Sequence, residues 1–253
     1  EEDVSATAGD EIGVGFVGAP RITRRPASTG IWDAPFDGRV NQIASRVAYR
    51  SDIAIAGGGL ILATWTEYEP GAQLYRAQTK VFDGTAWEIT TAVDGSSQSE
   101  DYPTVSLNEA GDGVLVYAQD HWNDPVVPAD PDECRVKGRR YSVATGWQNA
   151  LEIDSFPTFY PTPYTCQAPI SGIDAGGRAL AAWYGDGSVS TGWRLELALL
   201  PTAPSIWQAP VVLSPGAVSY SGEPWVAVGG NGMVHATWVQ GTGALQLVAT
   251  VLR

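Results

Sequence analysis

The chain has 253 residues, 44% hydrophobic and only 17% charged, and 15 Lys and Arg against 28 Asp and Glu leave a net charge of −13. Enough apolar residues for a core argue against disorder, 29 Gly and 17 Pro argue against a helical bundle, and the acidic balance argues against nucleic acid or an anionic membrane as partner. No apolar run reaches the roughly 18 residues of a spanning helix, so no membrane insertion is expected, and the acidic opening EEDVSATAGD is unlike a signal peptide; any export signal has already been removed.

In chain order, residues 1–27 read as an N-terminal arm, in which IGVGFV at 12–17 is either an extra edge strand or a contact to another subunit. Next comes TGIWDAP around Trp32, and from there the chain repeats itself. Four glycine turns each lead into an apolar run: Gly57–Gly59 into LILATW, Gly111–Gly113 into VLVYAQ, Gly176–Gly177 into RALAAW, and Gly229–Gly232 into MVHATW. Six residues after each turn stand Trp65, Gln119, Trp183 and Trp238, at spacings of 54, 64 and 55, with Gln119 the one departure. A second series, Trp32, Trp87, Trp147 and Trp207, interleaves at spacings of 55, 60 and 60. Each unit reads as a short strand, a tight turn, a buried strand, a variable loop, a third strand, a second tight turn and a Trp strand.

Units of four antiparallel strands, repeated, predict an all-β fold: a small β-propeller whose tryptophans pack between blades. Four blades are expected, near 44–93, 102–153, 163–213, and 222–252 completed by 28–37. The last unit ends before a Trp strand, and the Trp32 strand has no three strands ahead of it, so the ring is expected to be closed by an N-terminal strand within a single domain, 28–253. A part-ring completed by oligomerisation, or two sheets packed as a sandwich, are the alternatives.

DYPTVSLNEAGDGVLVYAQD followed by KGRRYSVATGWQNALEI, with RALAAW and PSIWQAP, resembles a tandem repeat of exported bacterial surface proteins and lipoproteins over most of residues 28–253. That resemblance implies a propeller-like architecture and an extracellular, periplasmic or cell-surface location; it implies no catalytic set. The third unit departs from it with WRLELALLPTA in place of a Tyr-bearing strand, and the second carries a long insertion. FDGTAW at 82–87 is also loosely similar to the Asp box of sialidases, but its Asp and Gly are adjacent, and the arginine trio and Tyr–Glu pair of that family are not evident.

In such a ring the glycine turns occupy one face and the longer, acidic, aromatic loops the other, so the loop-rich face is the expected binding face. Its candidate residues are Glu67, Tyr68, Asp101, Tyr102, Asp120, Trp122, Tyr160, Tyr164, Tyr220 and Glu223, aromatics to stack on a sugar or anchor a surface protein and carboxylates to accept hydroxyl hydrogen bonds. Cys134 and Cys166 fall on this face of adjacent blades, and a disulfide between them would pin the long loop. No cofactor is expected. Ca2+ at Asp120, Asp124, Asp130, Asp132 and Glu133 is thinkable, but the loop lacks the regular Asp spacing of an EF-hand, so a solvated acidic loop is the preferred reading. His121 reads as a solvated loop residue and His235 as a core group. The leading expectation is a binding or assembly module for a glycan or surface protein, with a homo-oligomer possible. The alternatives are a glycan-cleaving hydrolase using Glu67 with Asp101 or Asp120, and a structural subunit of an extracellular polymer.

Overall fold

In a computed structural model of the chain, residues 2–6, 11–16, 20–25, 47–121, 133–157, 168–186, 193–203, 205–214, 224–229, 232–240 and 246–252 are described. They contain no helix, and every sheet is antiparallel. The first sheet holds β1 (Glu2–Ala6), β2 (Glu11–Phe16) and β3 (Pro20–Arg25); the second, β4 (Val47–Ile55), β5 (Ile61–Glu69), β6 (Leu74–Phe82) and β7 (Thr91–Ala92). The third holds β8 (Ser99–Leu107), β9 (Gly113–His121), β10 (Glu133–Ser142), β11 (Gly146–Trp147) and β12 (Leu151–Pro157). The fourth has β13 (Ile170–Ile173), β14 (Ala179–Asp186), β15 (Trp193–Leu200) and β16 (Val211–Val212), and the fifth β17 (Trp225–Val228), β18 (Val234–Gln240) and β19 (Gln246–Leu252).

Two expectations change. Strands β1, β2 and β3 form a three-stranded antiparallel sheet, of which β1 and β2 lie against β4, so the described residues make five sheets where four were expected. The fourth strand of a unit is also interrupted: Trp87 bridges Phe82 and Trp147 pairs with Tyr141 in β11, and the ladder resumes four residues later at Thr91 and Leu151, as it does at Val211 after Trp207. Each of these two tryptophans folds onto its bridge partner, Trp87 onto Phe82 and Trp147 onto Tyr141, at centroid distances of 5.3 and 5.1 Å. Closure by residues 28–37 lies outside the described residues.

The four glycine turns share one backbone pattern. Gly59, Gly111, Gly177 and Gly232 all have φ between 76° and 84°, where a side chain would be strained, and each donates its N–H three residues back, to Ala56, Asn108, Asp174 and Gly229. The second strands they launch are buried. Val114, Val116 and Ala118 of β9 pack with Ala179, Ala181 and Trp183 of β14, while Leu115 and Tyr117, on the opposite side of β9, pack with Leu62 of β5. Alternation along one strand thus serves two neighbouring sheets, which is why these runs are apolar throughout. The first strands β4, β8, β13 and β17 each approach the next, and residues 53–55, 105–107, 171–173, Val226 and Val228 line a cavity of about 310 Å3 between them.

Side chains stitch the glycine-turn end together. Asn108 Nδ2 donates to the carbonyl of Asp174 at 3.0 Å, Arg178 Nη2 to that of Gly232 at 2.6 Å, and Arg140 to those of Gly177 and Pro201. Arg178 also pairs with Asp174 at 3.2 Å. Arg178→Ala is therefore expected to cost about 1–2 kcal/mol in urea unfolding, and an unchanged midpoint would show the turn ties to be ornamental.

Candidate functional site

The end opposite the glycine turns carries the strained backbone. β4 and β8 each bulge at the same level: the pairing with β5 skips from Tyr49 to Asp52, and that with β9 from Asp101 to Thr104. At the bulges Arg50 and Tyr102 take φ of 47° and 52°, a left-handed conformation that non-glycine residues seldom adopt and that costs on the order of 1–3 kcal/mol. The two residues meet. The Arg50 guanidinium carbon lies 3.5 Å from the Tyr102 ring centroid and the same guanidinium pairs with Asp101. Asp101 Oδ1 accepts from Thr66 Oγ1 at 2.9 Å and from the Tyr102 N–H at 2.8 Å. Asp52 locks the two bulged strands, taking the Val105 N–H at 2.8 Å. The result is a fixed cation–aromatic–carboxylate group between the second and third sheets, at the loop end of the cavity-lining strands.

Around it lie further aromatics and committed charges. Tyr68 and Tyr75 stack at 5.3 Å with a tilt of 52°, and Arg76 pairs with Glu69 and donates to the carbonyl of Gln98 at 2.9 Å. Asp120 is half-buried on β9, opposite Cys134 in the ladder. Cys134 is fully buried, and no described cysteine is a free thiol. Trp122, Tyr160, Tyr164, Tyr220, Glu223 and Cys166 lie outside the described residues, as do Asp124, Asp130 and Asp132 of the suggested calcium loop. Glu133 of that loop is held by Arg135 at 2.7 Å, and among the described residues no group of three metal-ligating side chains converges.

Glu67 is a correction. It is buried on the face of β5 that it shares with Trp65, whose indole Nε1 donates to it at 2.9 Å. Thr66, which meets Asp101, points to the opposite face. Glu67 and Asp101 therefore do not flank a common bond, and that pairing fails as a hydrolytic pair. His235 is a second correction, being exposed on β18 where a core position was expected.

Gln119, the departure from the Trp series, is the signal for a polar network that composition hides. It is buried, and its Nε2 donates to Ser96 Oγ at 2.9 Å and Asp94 at 3.2 Å, so an amide takes the place of an indole N–H. Lys137 Nζ joins Asp94 at 2.7 Å, and Ser96 Oγ donates to Glu100 at 2.9 Å. Burial pushes Asp94 up, but the Lys137 ammonium and the surrounding donors outweigh it and leave the carboxyl below its usual range. Fully buried Glu100 goes the other way, raised chiefly by desolvation. Arg50 and Glu100 were not among the expected site residues; nothing in their local sequence marks either.

No family model matches the chain, and no curated relative does. Solved structures do. A protein of unknown function from Dyadobacter fermentans superposes with a TM-score of 0.59 at 13% identity, covering 96% of this chain and 71% of that one. An α-L-arabinofuranosidase from Fusarium graminearum gives 0.58 at 10% identity over 97% and 79%, and an endo-arabinase from Bacteroides thetaiotaomicron 0.50 at 12% over 100% and 93%. At such identities the likeness establishes architecture alone: the chain has the all-β, propeller-type fold of these glycoside hydrolases.

Proposed function

We propose that the chain is an exported bacterial binding module, of the surface-protein repeat type its sequence resembles, that holds an uncharged glycan at its loop-rich end. The observation that carries this is the Arg50–Tyr102–Asp101 group, where two non-glycine residues are kept in a strained conformation at matching bulges and bring an aromatic ring and a carboxylate together at the loop-rich end. Strained backbone at the rim of a sheet is a mark of binding sites. Likeness in fold to arabinan-acting enzymes supports a sugar as ligand.

Charge selects the sugar. The loop segments of this end, 70–73, 93–98, 122–132, 158–167, 187–192 and 215–223, contain no Lys or Arg. Of the described cations at this end, Arg50 is paired with Asp101, Arg76 with Glu69, Arg135 with Glu133 and Lys137 with Asp94, and Arg194 on β15 is attracted by Glu196. A uronate or sulfated sugar would meet unneutralised acid, whereas hydroxyls find acceptors and aromatic faces. Binding of neutral pentose and hexose oligosaccharides, with polygalacturonate rejected, is the expected result by calorimetry. Tyr102→Gly is the sharper test: it relaxes the strained φ but gives up the ring's contact with the core and with Arg50, so at a temperature where the variant is folded affinity should fall about five- to tenfold. Unchanged affinity would remove Tyr102 from the site and the reading with it. Release of reducing sugar from the same oligosaccharides would replace binding by hydrolysis, using carboxylates other than the Glu67–Asp101 pair.

A further inference from the structure

The chain carries two lysines, Lys80 and Lys137, against thirteen arginines. Lys137 is engaged, with its Nζ 2.7 Å from Asp94. Lys80 is not. It stands on β6 with 8% exposure, and among the described residues its amine has no hydrogen bond or ion pair. Pairing of β5 with β6 sets Lys80 opposite Ala63, between Gln78 opposite Trp65 and Phe82 opposite Ile61, so these side chains share one face. That face carries the apolar cluster of Ile53, Ile61, Ala63 and Trp65, with Phe82 and Trp87 packed on it. The other face, with Leu62, Ala77 and Val81, meets the third sheet. Carboxylates near Lys80 in the sequence and on its face are occupied elsewhere: Glu67 accepts from Trp65 Nε1, and Asp83 from the N–H groups of Thr85 and Ala86.

The neighbouring sheets show what a cation at this position does when its role is structural. Ala63, Leu115 and Ala181, each four residues past the left-handed glycine of its turn, stand opposite Lys80, Arg139 and Ala198. Arg139 donates to the carbonyls of Gln148 and Val93 and lies over the Trp147 ring at 5.6 Å. Ala198 fills the place with no polar group at all, so the fold does not need a cation there. Lys80 bears the desolvation and makes none of the bonds that compensate Arg139.

We propose that Lys80 is a capture site for a small aldehyde, which its amine binds covalently as an imine. The amine nitrogen adds its lone pair to the carbonyl carbon. The resulting carbinolamine loses the carbonyl oxygen as water, together with the two amine hydrogens, and leaves a C=N bond. Amine and aldehyde thus give imine and water, with no oxidant or reductant involved. Desolvation lowers the Lys80 pKa and so favours the neutral, nucleophilic form, a role closed to arginine, which keeps its charge. The apolar face and the small exposed remainder of the residue admit a compact, uncharged carbonyl compound and disfavour an anion.

The test is reductive labelling of the whole chain at pH 7 with glycolaldehyde and cyanoborohydride, read at each lysine by peptide mass spectrometry, with free Nα-acetyl-lysine in the same solution as reference. In the folded chain Lys80 should label faster than the reference, by about threefold or more, and in guanidinium chloride at the reference rate. Lys137, held by Asp94, should label more slowly than the reference when folded. A folded Lys80 rate equal to or below the reference would overturn the proposal, because a lysine that is merely covered reacts more slowly folded than unfolded. An equal gain at Lys137 would overturn it as well, since the effect would then belong to the folded surface at large.

Discussion

Trp183→Ala should destabilise the protein by about 3–5 kcal/mol, the range for deleting a large aromatic from a packed interior. Trp183 has 0% exposure, and its cluster draws Val114, Val116, Ala118 and Val136 from the third sheet and Ala181 and Ala198 from the fourth. Most of these neighbours are small or β-branched, with little freedom to collapse into the space an indole leaves, so the cavity would persist. The loss should appear as a lower urea midpoint with an unchanged slope, since the denatured chain is untouched. A cost below about 1 kcal/mol would mean that the two sheets are not held together through this ring. Trp238 is a weaker lever, because its cluster has fewer members and lies in the terminal sheet, between Tyr184 and Leu195 on one side and Ala236 on its own strand.

The interior was the legible part of the sequence, for reasons that attach to particular residues. Glycines at 59, 111, 177 and 232 are required by positive φ, so they marked the four turns without ambiguity. Trp65, Trp183 and Trp238 fell on buried second strands because an indole has to be covered and recurs wherever sheet meets sheet. The first sheet escaped because GDEIGVGFVGAP carries neither a turn–Trp pair nor any residue of the repeat, and its glycines suit an arm as well as a strand. Glu67 was misplaced by reading composition instead of period: it stands two residues from Trp65, and the alternation of a strand puts both on one face. The bulges at Arg50 and Tyr102 had no signal at all, since left-handed φ at a charged or aromatic residue is imposed by the two sheets around it. Candidate sites therefore emerged where tertiary structure overrides local preference, which single-residue chemistry cannot report.

Glu100→Gln should stabilise the protein at pH 8, by about 1–2 kcal/mol, although it alters a residue with 0% exposure. Glu100 Oε1 takes the Ser96 hydroxyl at 2.9 Å and its N–H at 3.3 Å, but Oε2 is buried without a partner, and Asp94 adds like charge close by. Desolvation, the largest influence, raises the carboxyl above its ordinary range, with the Ser96 hydroxyl and Arg76 opposing. A raised folded value means that stability from this group is full below the unfolded value of about 4 and is lost as pH increases through the folded one. Glutamine keeps the acceptor toward Ser96, removes the titration, and offers its NH2 to the Asp94 carboxylate. The variant's advantage should therefore be largest at pH 8 and shrink toward zero near pH 4, where Glu100 is neutral in both states. A variant less stable than the parent at pH 8 would show that Oε2 meets a cation or an ordered water instead, and that the carboxylate is held there in its charged form.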